Sequence, residues 1–263
     1  MLTANDGQTD EPFGLDVLRG DLAPRLTTRH PITTLASQVT AFFASLGFRT
    51  HPTPEVEDVL HSFDLLSVPE GHPTRSPAHT FYLEDGRVLR SHTTSSVMRV
   101  LRQGRGRTER RVLVGGPCYR NTTPTPRFVT QFHQMEVAAV GPDIVLTDAT
   151  GMALGLLDDV LGQGHGATLR FRTLPYVSPG FSVDAPCTPC EQAGCALCGG
   201  RGFLEVMSGG ALTPAVMAAA EVPSGSRAIS LAISLERLLA IRHHVADIRP
   251  FLSTDLRVLA QNG

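Results

Sequence analysis

Four cysteines lie within twelve residues of the chain: Cys187, Cys190, Cys195 and Cys198. They form a C-x2-C-x4-C-x2-C pattern, and two C-x-x-C pairs are the spacing at which thiolates hold zinc tetrahedrally. Gly200 and Gly202 allow a tight knuckle, although the short separation of the pairs requires a sharp reversal at 193–194. We predict structural zinc, because four thiolates leave no open position for catalysis. Reduced free thiols and a redox pair are the alternatives.

A second group of chemistry-bearing residues lies in 111–136, RVLVGGPCYRNTTPTPRFVTQFHQME. The pattern predicts a strand ending in Arg120, a loop rich in Thr and Pro, and a returning strand from about Phe132. An arginine at such a strand end can hold a phosphate with its planar fork. Gln134 and Glu136 share one strand face because they are two residues apart, so together they could hold an ammonium group. A twisted hairpin with a solvated polar face is the alternative.

The elements that must position these residues follow from the spacing of apolar side chains. Leu35, Val39 and Phe43 fall at helical spacing and predict a helix over 33–46, with Gly47 at its end. Strands are predicted at 80–83, 112–119, 135–140, 169–173 and 203–207. Further helices are predicted at 148–161, at 214–220 and after Pro250, and a strand running into a helix at 228–243. Because regular βαβ alternation is missing, the order predicts an α+β fold with a largely antiparallel sheet.

Composition excludes several classes of protein. Of the 263 residues, 41% are hydrophobic and 18% are charged, so the chain is not wholly disordered. All 23 basic residues are arginines, which excludes lysine Schiff-base chemistry and a P-loop lysine. Without an apolar run of eighteen residues or a signal peptide, we expect a cytoplasmic protein. We predict a flexible N-terminal tail at 1–27 and a domain at 28–261 that carries a Cys-rich insertion at 185–202.

Four sequence blocks occur in a fixed order: HPTRSPAHTFYL at 72–83, RSHTTSSVMR at 90–99, CYR to FHQME at 118–136 and LERLLAI at 235–241. Together they resemble the catalytic α subunits of bacterial phenylalanyl-tRNA synthetases, which are class II aminoacyl-tRNA synthetases. Residues 30–58 resemble the first class II motif, and 247–259 resemble the family's C-terminal segment. The likeness covers about 28–260. It implies a class II synthetase-like antiparallel sheet flanked by helices.

The resemblance also implies roles for individual residues. Arg120 matches the arginine that binds the ATP α-phosphate, and Arg237 matches the motif 3 arginine that holds the γ-phosphate. The remaining matches concern the amino acid: His92 and Thr94 near its site, Gln134 and Glu136 at its α-amino group, and Leu174, Tyr176 and Gly210 at its side-chain pocket. Leu174 and Tyr176 replace two phenylalanines of the family, and Gly210 lies in SGGA where the family has GCGM.

Five positions depart from the family pattern near the ATP and metal sites. Thr122 replaces an acidic residue, Phe128 replaces a histidine, and Ser178 replaces a magnesium-binding glutamate. Ala232 and Ser234 replace the two glycines of motif 3, where side chains crowd the backbone approach to ATP. A fragment, a paralogue with altered substrate choice and a divergent subunit are all consistent with this pattern.

The predicted activity is ATP-dependent activation of an amino acid, phenylalanine or another apolar one, to an aminoacyl-adenylate. The expected cofactors are ATP with Mg²⁺ and structural Zn²⁺. Transfer to tRNA is the expected second step, although the chain starts without the family's N-terminal tRNA-binding arm. The expected assembly is a homodimer or a hetero-oligomer with a β subunit. The alternative is a catalytically degenerate paralogue that binds amino acid and nucleotide or regulates.

A loop between the predicted helices and strands is rich in arginine: Arg102, Arg105, Arg107, Arg110 and Arg111. Such a cluster could contact nucleic-acid phosphates. Glu109 interrupts it and no aromatic residue is interleaved, so we favour a solvated loop.

Overall fold

The structure, a computed structural model, describes residues 29–253. The predicted tail at 1–27 lies outside the described residues, as does the helix expected after Pro250 beyond a short 3-10 turn at Arg249–Leu252. The described part includes nearly all of the predicted domain and the whole Cys-rich insertion.

The strands, numbered along the chain, are β1 (Arg49–Thr50), β2 (Val56–Glu57), β3 (Val88–Leu89), β4 (Arg110–Tyr119), β5 (Gln131–Gly141), β6 (Thr168–Leu174), β7 (Val177–Pro186), β8 (Phe203–Leu212) and β9 (Arg227–Ser234). The helices are α1 (Pro31–Ser45), α2 (Val59–Ser62), α3 (Thr94–Gln103), α4 (Leu146–Leu161), α5 (Pro214–Ala219) and α6 (Leu235–Arg242). Short 3-10 helices lie at Asp64–Leu66, Pro73–Arg75 and Thr188–Cys190.

Within residues 29–253, a seven-stranded sheet has the order β1-β4-β5-β9-β8-β7-β6. In this sheet β1 and β4 run parallel, and each of the other neighbouring pairs is antiparallel. Strands β2 and β3 form a separate antiparallel ribbon. The predicted α+β class with a largely antiparallel sheet is therefore confirmed.

Helix α1 illustrates how local sequence sets an element. Pro31 occupies the first turn, where its missing N–H is not needed, and the His30 ring accepts a hydrogen bond from the Ile32 amide at 3.2 Å. Leu35, Val39 and Phe43 repeat at helical spacing, and all three are fully buried. Gly47 follows with φ of +83°, a conformation in which glycine avoids the steric clash of a Cβ.

The sheet separates two hydrophobic cores. On one face, α1, α4 and α6 cover apolar residues of the central strands, among them Leu113, Val137 and Leu231. On the other face, α3 and α5 cover Val112, Val114 and nearby residues over part of the sheet. The uncovered part of this second face carries polar side chains, so it is where a site can form.

The structure differs from the sequence prediction in weakly patterned segments, including the short elements β1, β2, β3 and α2, which were not predicted. Residues 80–83 are not a strand, and Tyr82 makes a single bridge to Val88. Neither α3 nor β7 was predicted, since α3 opens with Thr-Ser-Ser and β7 contains Ser-Pro-Gly. Both are held by packing: seven of the ten residues of α3 are buried, and β7 is hydrogen-bonded to β6 and β8.

Candidate active site

A cavity of about 700 Å³ opens on the polar face of the sheet. Its walls come from β5, β6, β8, β9 and α6, from the β4–β5 connection, from the turn between β6 and β7 and from residues within 68–92. Six of the residues predicted from the sequence line it: His92, Arg120, Gln134, Leu174, Tyr176 and Arg237. Thr94, Glu136 and Gly210 do not border it.

Two arginines of the cavity are those expected to bind phosphate. Arg120 Nε donates to the Ser91 carbonyl at 3.2 Å, and its guanidinium carbon lies 4.7 Å from the centre of the Phe132 ring. Arg237 donates to the backbone carbonyl of Glu205 at 3.0 Å and lies 5.7 Å from the Phe128 ring centre. Removal from bulk water lowers the pKa of Arg120. It lowers that of Arg237 to about 10, so Arg237 stays cationic at neutral pH.

Sequence reasoning missed two further arginines of the cavity, Arg127 and Arg172. Arg172 on β6 forms an ion pair with Glu205 on β8. Its neighbour on the same strand face, Arg170, pairs with Asp184. The alternating arginines of the β6 sequence TLRFRTL were the available signal, because residues two apart share a strand face.

One part of the cavity presents acceptors. The Nδ1 atom of His92 is buried and has no hydrogen-bond partner among residues 29–253. Burial, with the nearby charge of Arg120 second, lowers the pKa of His92 to about 4, against a backbone hydrogen bond with Ser62 that raises it. The imidazole is therefore neutral at pH 7. Gln134 Oε1 accepts from the Thr93 amide at 3.3 Å, which fixes this side chain beside the cavity.

Glu136 lies behind this part of the cavity and is completely buried. Its Oε2 accepts from the hydroxyls of Thr93 at 2.8 Å and Thr94 at 2.9 Å, and its Oε1 accepts from Ser230 at 2.8 Å. Burial raises the pKa of Glu136, while the three hydroxyl donors oppose that rise. A solvated polar face, the alternative for this hairpin, is wrong for Glu136.

Tyr176 lies in the part of the cavity where the side chain of an amino-acid substrate is expected. Its ring centre lies 6.4 Å from that of His92, and burial together with the charge of Glu136 raises its pKa to about 12. Leu174 contributes an apolar wall. Gly210 is buried away from the cavity with φ of +157°, and a Cβ there would come within 2.3 Å of the Pro179 carbonyl oxygen. Gly210 therefore permits close packing of the strands rather than contact with a ligand in the cavity.

The positions that depart from the family pattern fall into two groups. Thr122, Phe128, Ala232 and Ser234 all line the cavity. Ser178 is exposed on β7 and does not border it. Four of these five positions therefore border the cavity.

The four cysteines converge at the turn between β7 and β8. The four Sγ atoms all lie within 4.8 Å of one another. The Sγ–Sγ distances are 3.8 Å for Cys187–Cys195, 3.9 Å for Cys190–Cys198 and 3.8 Å for Cys195–Cys198. Tetrahedral zinc with Zn–S bonds of about 2.3 Å requires sulfurs roughly 3.8 Å apart. The Cys195 amide also donates to Cys198 Sγ at 3.1 Å. This geometry fits a four-thiolate metal site.

The thiols differ in their electrostatic surroundings. Burial raises the pKa of Cys198, but the backbone amides of Cys195 and Gly202 and the neighbouring thiols lower it more, to about 6. Burial and hydrogen bonds with neighbouring thiols raise the pKa of Cys187. Cys118, which is buried in β4 outside this cluster, has its pKa raised by burial to about 12 and is an inert apolar residue.

Comparison with known proteins identifies the family of this chain. Residues 16–262 match the class II core domain of tRNA synthetases, type F. The chain belongs to this family of class II synthetase cores. The α subunit of phenylalanine–tRNA ligase from Chlamydia trachomatis serovar D is 34% identical over 245 residues, which are 93% of this chain and 71% of the relative. The corresponding subunit of Alcanivorax borkumensis is 34% identical over 251 residues, with the same coverage.

A relative with lower identity agrees with these two. The phenylalanine–tRNA ligase α subunit of Geobacillus thermodenitrificans is 29% identical over 248 residues, which are 94% of this chain and 72% of the relative. The resemblance stated from the sequence blocks is therefore confirmed. In this class II core, none of the helices between residues 29 and 253 combines the length and apolar character that crossing a membrane requires.

Proposed function

We propose that this class II core activates an amino acid, phenylalanine or another apolar one, with ATP and transfers it to tRNA. The observation that carries the proposal is one cavity lined both by arginines suited to phosphate and by acceptors suited to an ammonium group. Arg120 and Arg237 form the first part, and His92 with Gln134 forms the second. The relatives named as phenylalanine–tRNA ligase α subunits support the same activity.

The chemical step needs positioning and charge stabilisation. A carboxylate oxygen of the amino acid attacks the α-phosphorus of ATP, a new O–P bond forms, and the bond to the bridging oxygen breaks. Pyrophosphate leaves with the electron pair of that bond. Arg120 would stabilise charge at the α-phosphate and Arg237 would hold the γ-phosphate. No covalent intermediate with the enzyme is required, so the absence of lysine from the sequence is no obstacle.

The amino group of the substrate is assigned to the acceptor part of the cavity. An ammonium group has only donors, and neutral His92 offers Nδ1 while Gln134 offers Oε1. Glu136 would act from behind, since its carboxylate is occupied by the hydroxyls of Thr93, Thr94 and Ser230. We therefore assign Glu136 the charge that favours an ammonium group, together with the fixing of Thr93, whose amide holds Gln134.

The side chain of the substrate is assigned to the space beside Leu174 and Tyr176. Leu174 in place of an aromatic residue removes a stacking surface worth about 0.5–1.5 kcal/mol beyond area burial. Phenylalanine should therefore bind less tightly than in family members that have two phenylalanines there. The hydroxyl of Tyr176 also favours a more polar side chain.

The cavity offers few protein ligands for magnesium. Among the described residues that line it, the carboxylates are Glu205, which is paired with Arg172, and Glu236, whose Oε1 accepts from the His133 amide at 2.7 Å and whose Oε2 is buried without a hydrogen-bond partner. Ser178 in place of a glutamate does not border the cavity. Glu236 Oε2 is therefore a carboxylate oxygen that could contribute one ligand to Mg²⁺, and the remaining ligands would have to come from outside the protein. We infer that Mg²⁺ arrives bound to ATP, with phosphate and water oxygens as its ligands.

Zinc, by contrast, fits the residues present. The thiolates of Cys187, Cys190, Cys195 and Cys198 would hold it, and the ion would supply folding energy to a turn that has little core of its own. We propose a structural role. No open coordination position would remain for a substrate.

The assembly and location are also proposals. The relatives are named α subunits, which supports a hetero-oligomer with a β subunit, and a homodimer is the alternative. Partly exposed apolar residues of the first motif, Phe42 and Leu46, lie beside the edge strand β1 and suit such an interface. We expect the protein in the cytoplasm, where ATP and tRNA are available.

A binding or regulatory module without activation is the second candidate, favoured by Thr122, Ala232 and Ser234 in the nucleotide cavity. ATP–pyrophosphate exchange with each amino acid in turn separates the two. Exchange that depends on an apolar amino acid supports the enzyme and identifies its substrate. Binding of ATP and amino acid without exchange supports the module.

A further inference from the structure

Arg127 is a cation of the cavity whose Nε has no acceptor. It lies in the connection between β4 and β5, and this Nε is buried without a hydrogen-bond partner among the described residues. Each of the other three cavity arginines donates from at least one guanidinium nitrogen: Arg120 Nε to the Ser91 carbonyl, Arg172 Nη1 to the Glu205 carboxylate and Arg237 Nη1 to the Glu205 carbonyl. A buried donor without a partner is unfavourable unless a ligand satisfies it.

The position of Arg127 relative to Arg237 is informative. The two guanidinium carbons lie 5.2 and 5.7 Å from the same Phe128 ring centre. Two like charges held close to one ring repel each other, and an anion between them would remove that repulsion. Removal from water, with the neighbouring charge of Arg201 second, already lowers the pKa of Arg127.

The charge balance of the cavity points to a polyanion. Four arginines line it, against two carboxylates: Glu205 is paired with Arg172, and Glu236 contacts His133 through Oε1 while its Oε2 has no partner among the described residues. A cavity with this excess of positive charge favours a ligand with several negative charges. Phosphate oxygens match the planar fork of an arginine.

We propose that Arg127 binds the β,γ end of the triphosphate beside Arg237 and holds the pyrophosphate group as it leaves. This inference rests on the proposed function and gives its cavity a third phosphate-binding arginine. Such an arginine would supply positive charge beside the leaving pyrophosphate. The cysteine knuckle limits where Arg127 can lie, since a Cβ on Gly199 would come within 2.9 Å of Arg127 Nη1.

The experiment is calorimetric titration of the whole chain with ATP, AMP and inorganic pyrophosphate. Arg127→Met keeps a long side chain on Phe128 but removes the charge. We expect ATP and pyrophosphate to bind roughly 10- to 100-fold more weakly, the range for a lost charge-assisted hydrogen bond, while AMP affinity stays within about twofold. Arg127→Lys should recover part of the loss. Arg105→Met, at an exposed arginine outside the cavity, is the matched control.

Equal pyrophosphate affinity of wild type and Arg127→Met would overturn the site, and so would an equal loss of AMP and ATP binding. If Arg127→Met unfolds, Arg127→Lys carries the test, because lysine keeps the charge but lacks the planar fork. Unchanged pyrophosphate binding by Arg127→Lys would then overturn bidentate recognition by Arg127. Arg127-dependent pyrophosphate binding without exchange for any amino acid would sink the proposed activation and leave this site standing.

Discussion

Thr188 Oγ1 donates a hydrogen bond of 2.6 Å to the backbone carbonyl of Ile241. Thr188 lies between the first two cysteines of the knuckle, and Ile241 is in the last turn of α6, the helix that carries Arg237. Carbonyls in the last turn of a helix lack partners within the helix, so this bond satisfies one of them. The knuckle and the helix of the phosphate-binding arginine are therefore joined directly.

The hydrogen bond between Thr188 and Ile241 leads to a prediction about metal removal. Purified protein should contain about one zinc per chain, and Cys190→Ser should lose it and lower both the melting temperature and the affinity for ATP, because the knuckle supports α6 and Arg127. Metal content by mass spectrometry and thermal unfolding measure the effect. Cys118→Ala, at a cysteine outside the cluster, should keep the metal. Zinc-free protein from a preparation kept under reducing conditions would contradict a zinc site.

A second prediction concerns Arg120. Arg120→Met should weaken ATP binding by about 1.5–3 kcal/mol, because a charge-assisted contact to phosphate is lost. AMP binding should fall as well, since the α-phosphate is present in both nucleotides. This joint loss distinguishes Arg120 from Arg127. Isothermal titration measures both affinities, and an unchanged ATP affinity would remove Arg120 from the phosphate site.

Local sequence pattern predicted the elements whose apolar spacing is regular. Helices α1 and α4 bury one face each, so their apolar periodicity marks them, whereas strands β4, β5 and β9 are buried on both faces and read as short continuous apolar runs. The sequence blocks, through the family that they resemble, identified six residues that line one cavity. The roles of these residues in binding stay predictions.

The rest depended on contacts distant in sequence. Ser230 donates to Glu136 across 94 residues, and the Thr93 hydroxyl does so across 43. No local pattern could indicate that Glu136 has its acceptors occupied in this way. Arg127 was missed for a similar reason, since it lies in a loop rich in Thr and Pro without any period.

Glu136 gives the third prediction. Glu136→Gln keeps the shape and removes the buried charge, so amino-acid binding should weaken by an amount on the order of 1–3 kcal/mol while ATP binding stays nearly intact. Ser230→Ala is the matched control, because it removes one hydroxyl donor and keeps the carboxylate. Equilibrium binding of each amino acid measures the effect. Unchanged binding of every amino acid to Glu136→Gln would place the ammonium site elsewhere.

His92 gives a prediction about pH. Its pKa is about 4 in the folded chain against an ordinary value of 6.5, so between these values the unfolded chain binds the proton and the folded chain does not. The contribution of neutral His92 to the free energy of unfolding is therefore fully present above pH 6.5. It is lost as pH drops towards 4, by up to about 3 kcal/mol. Urea unfolding at pH 7, 5.5 and 4.5 should show a smaller fall for His92→Gln than for wild type. The exposed His79, changed to Gln, is the control, and parallel profiles for wild type and His92→Gln would refute the assignment.

The arginine-rich loop separates into residues that support helices and residues that face solvent. Arg102 donates to the Ala219 carbonyl at 2.6 Å, Arg110 to the Val100 carbonyl at 2.6 Å, and Arg111 to the Leu46 carbonyl at 2.6 Å. These carbonyls lie at the C-terminal ends of α5, α3 and α1, where a cationic donor satisfies orphan acceptors and suits the helix dipole. Arg105 and Arg107 remain exposed.

The last prediction uses that division. Arg110→Met should lower the free energy of unfolding by about 1–2 kcal/mol, because two carbonyls of α3 lose a charged donor, whereas Arg105→Met should change it by less than about 0.5 kcal/mol. Denaturant unfolding checks both. If the loop instead binds nucleic acid, Arg105→Met and Arg107→Met should each weaken tRNA binding and flatten its salt dependence, since every phosphate contact adds to that slope. We expect the stability effect for Arg110, because its donors are engaged with carbonyls within the fold. For the two exposed residues, Arg105 and Arg107, we expect no change in the salt slope, since we favour a solvated loop.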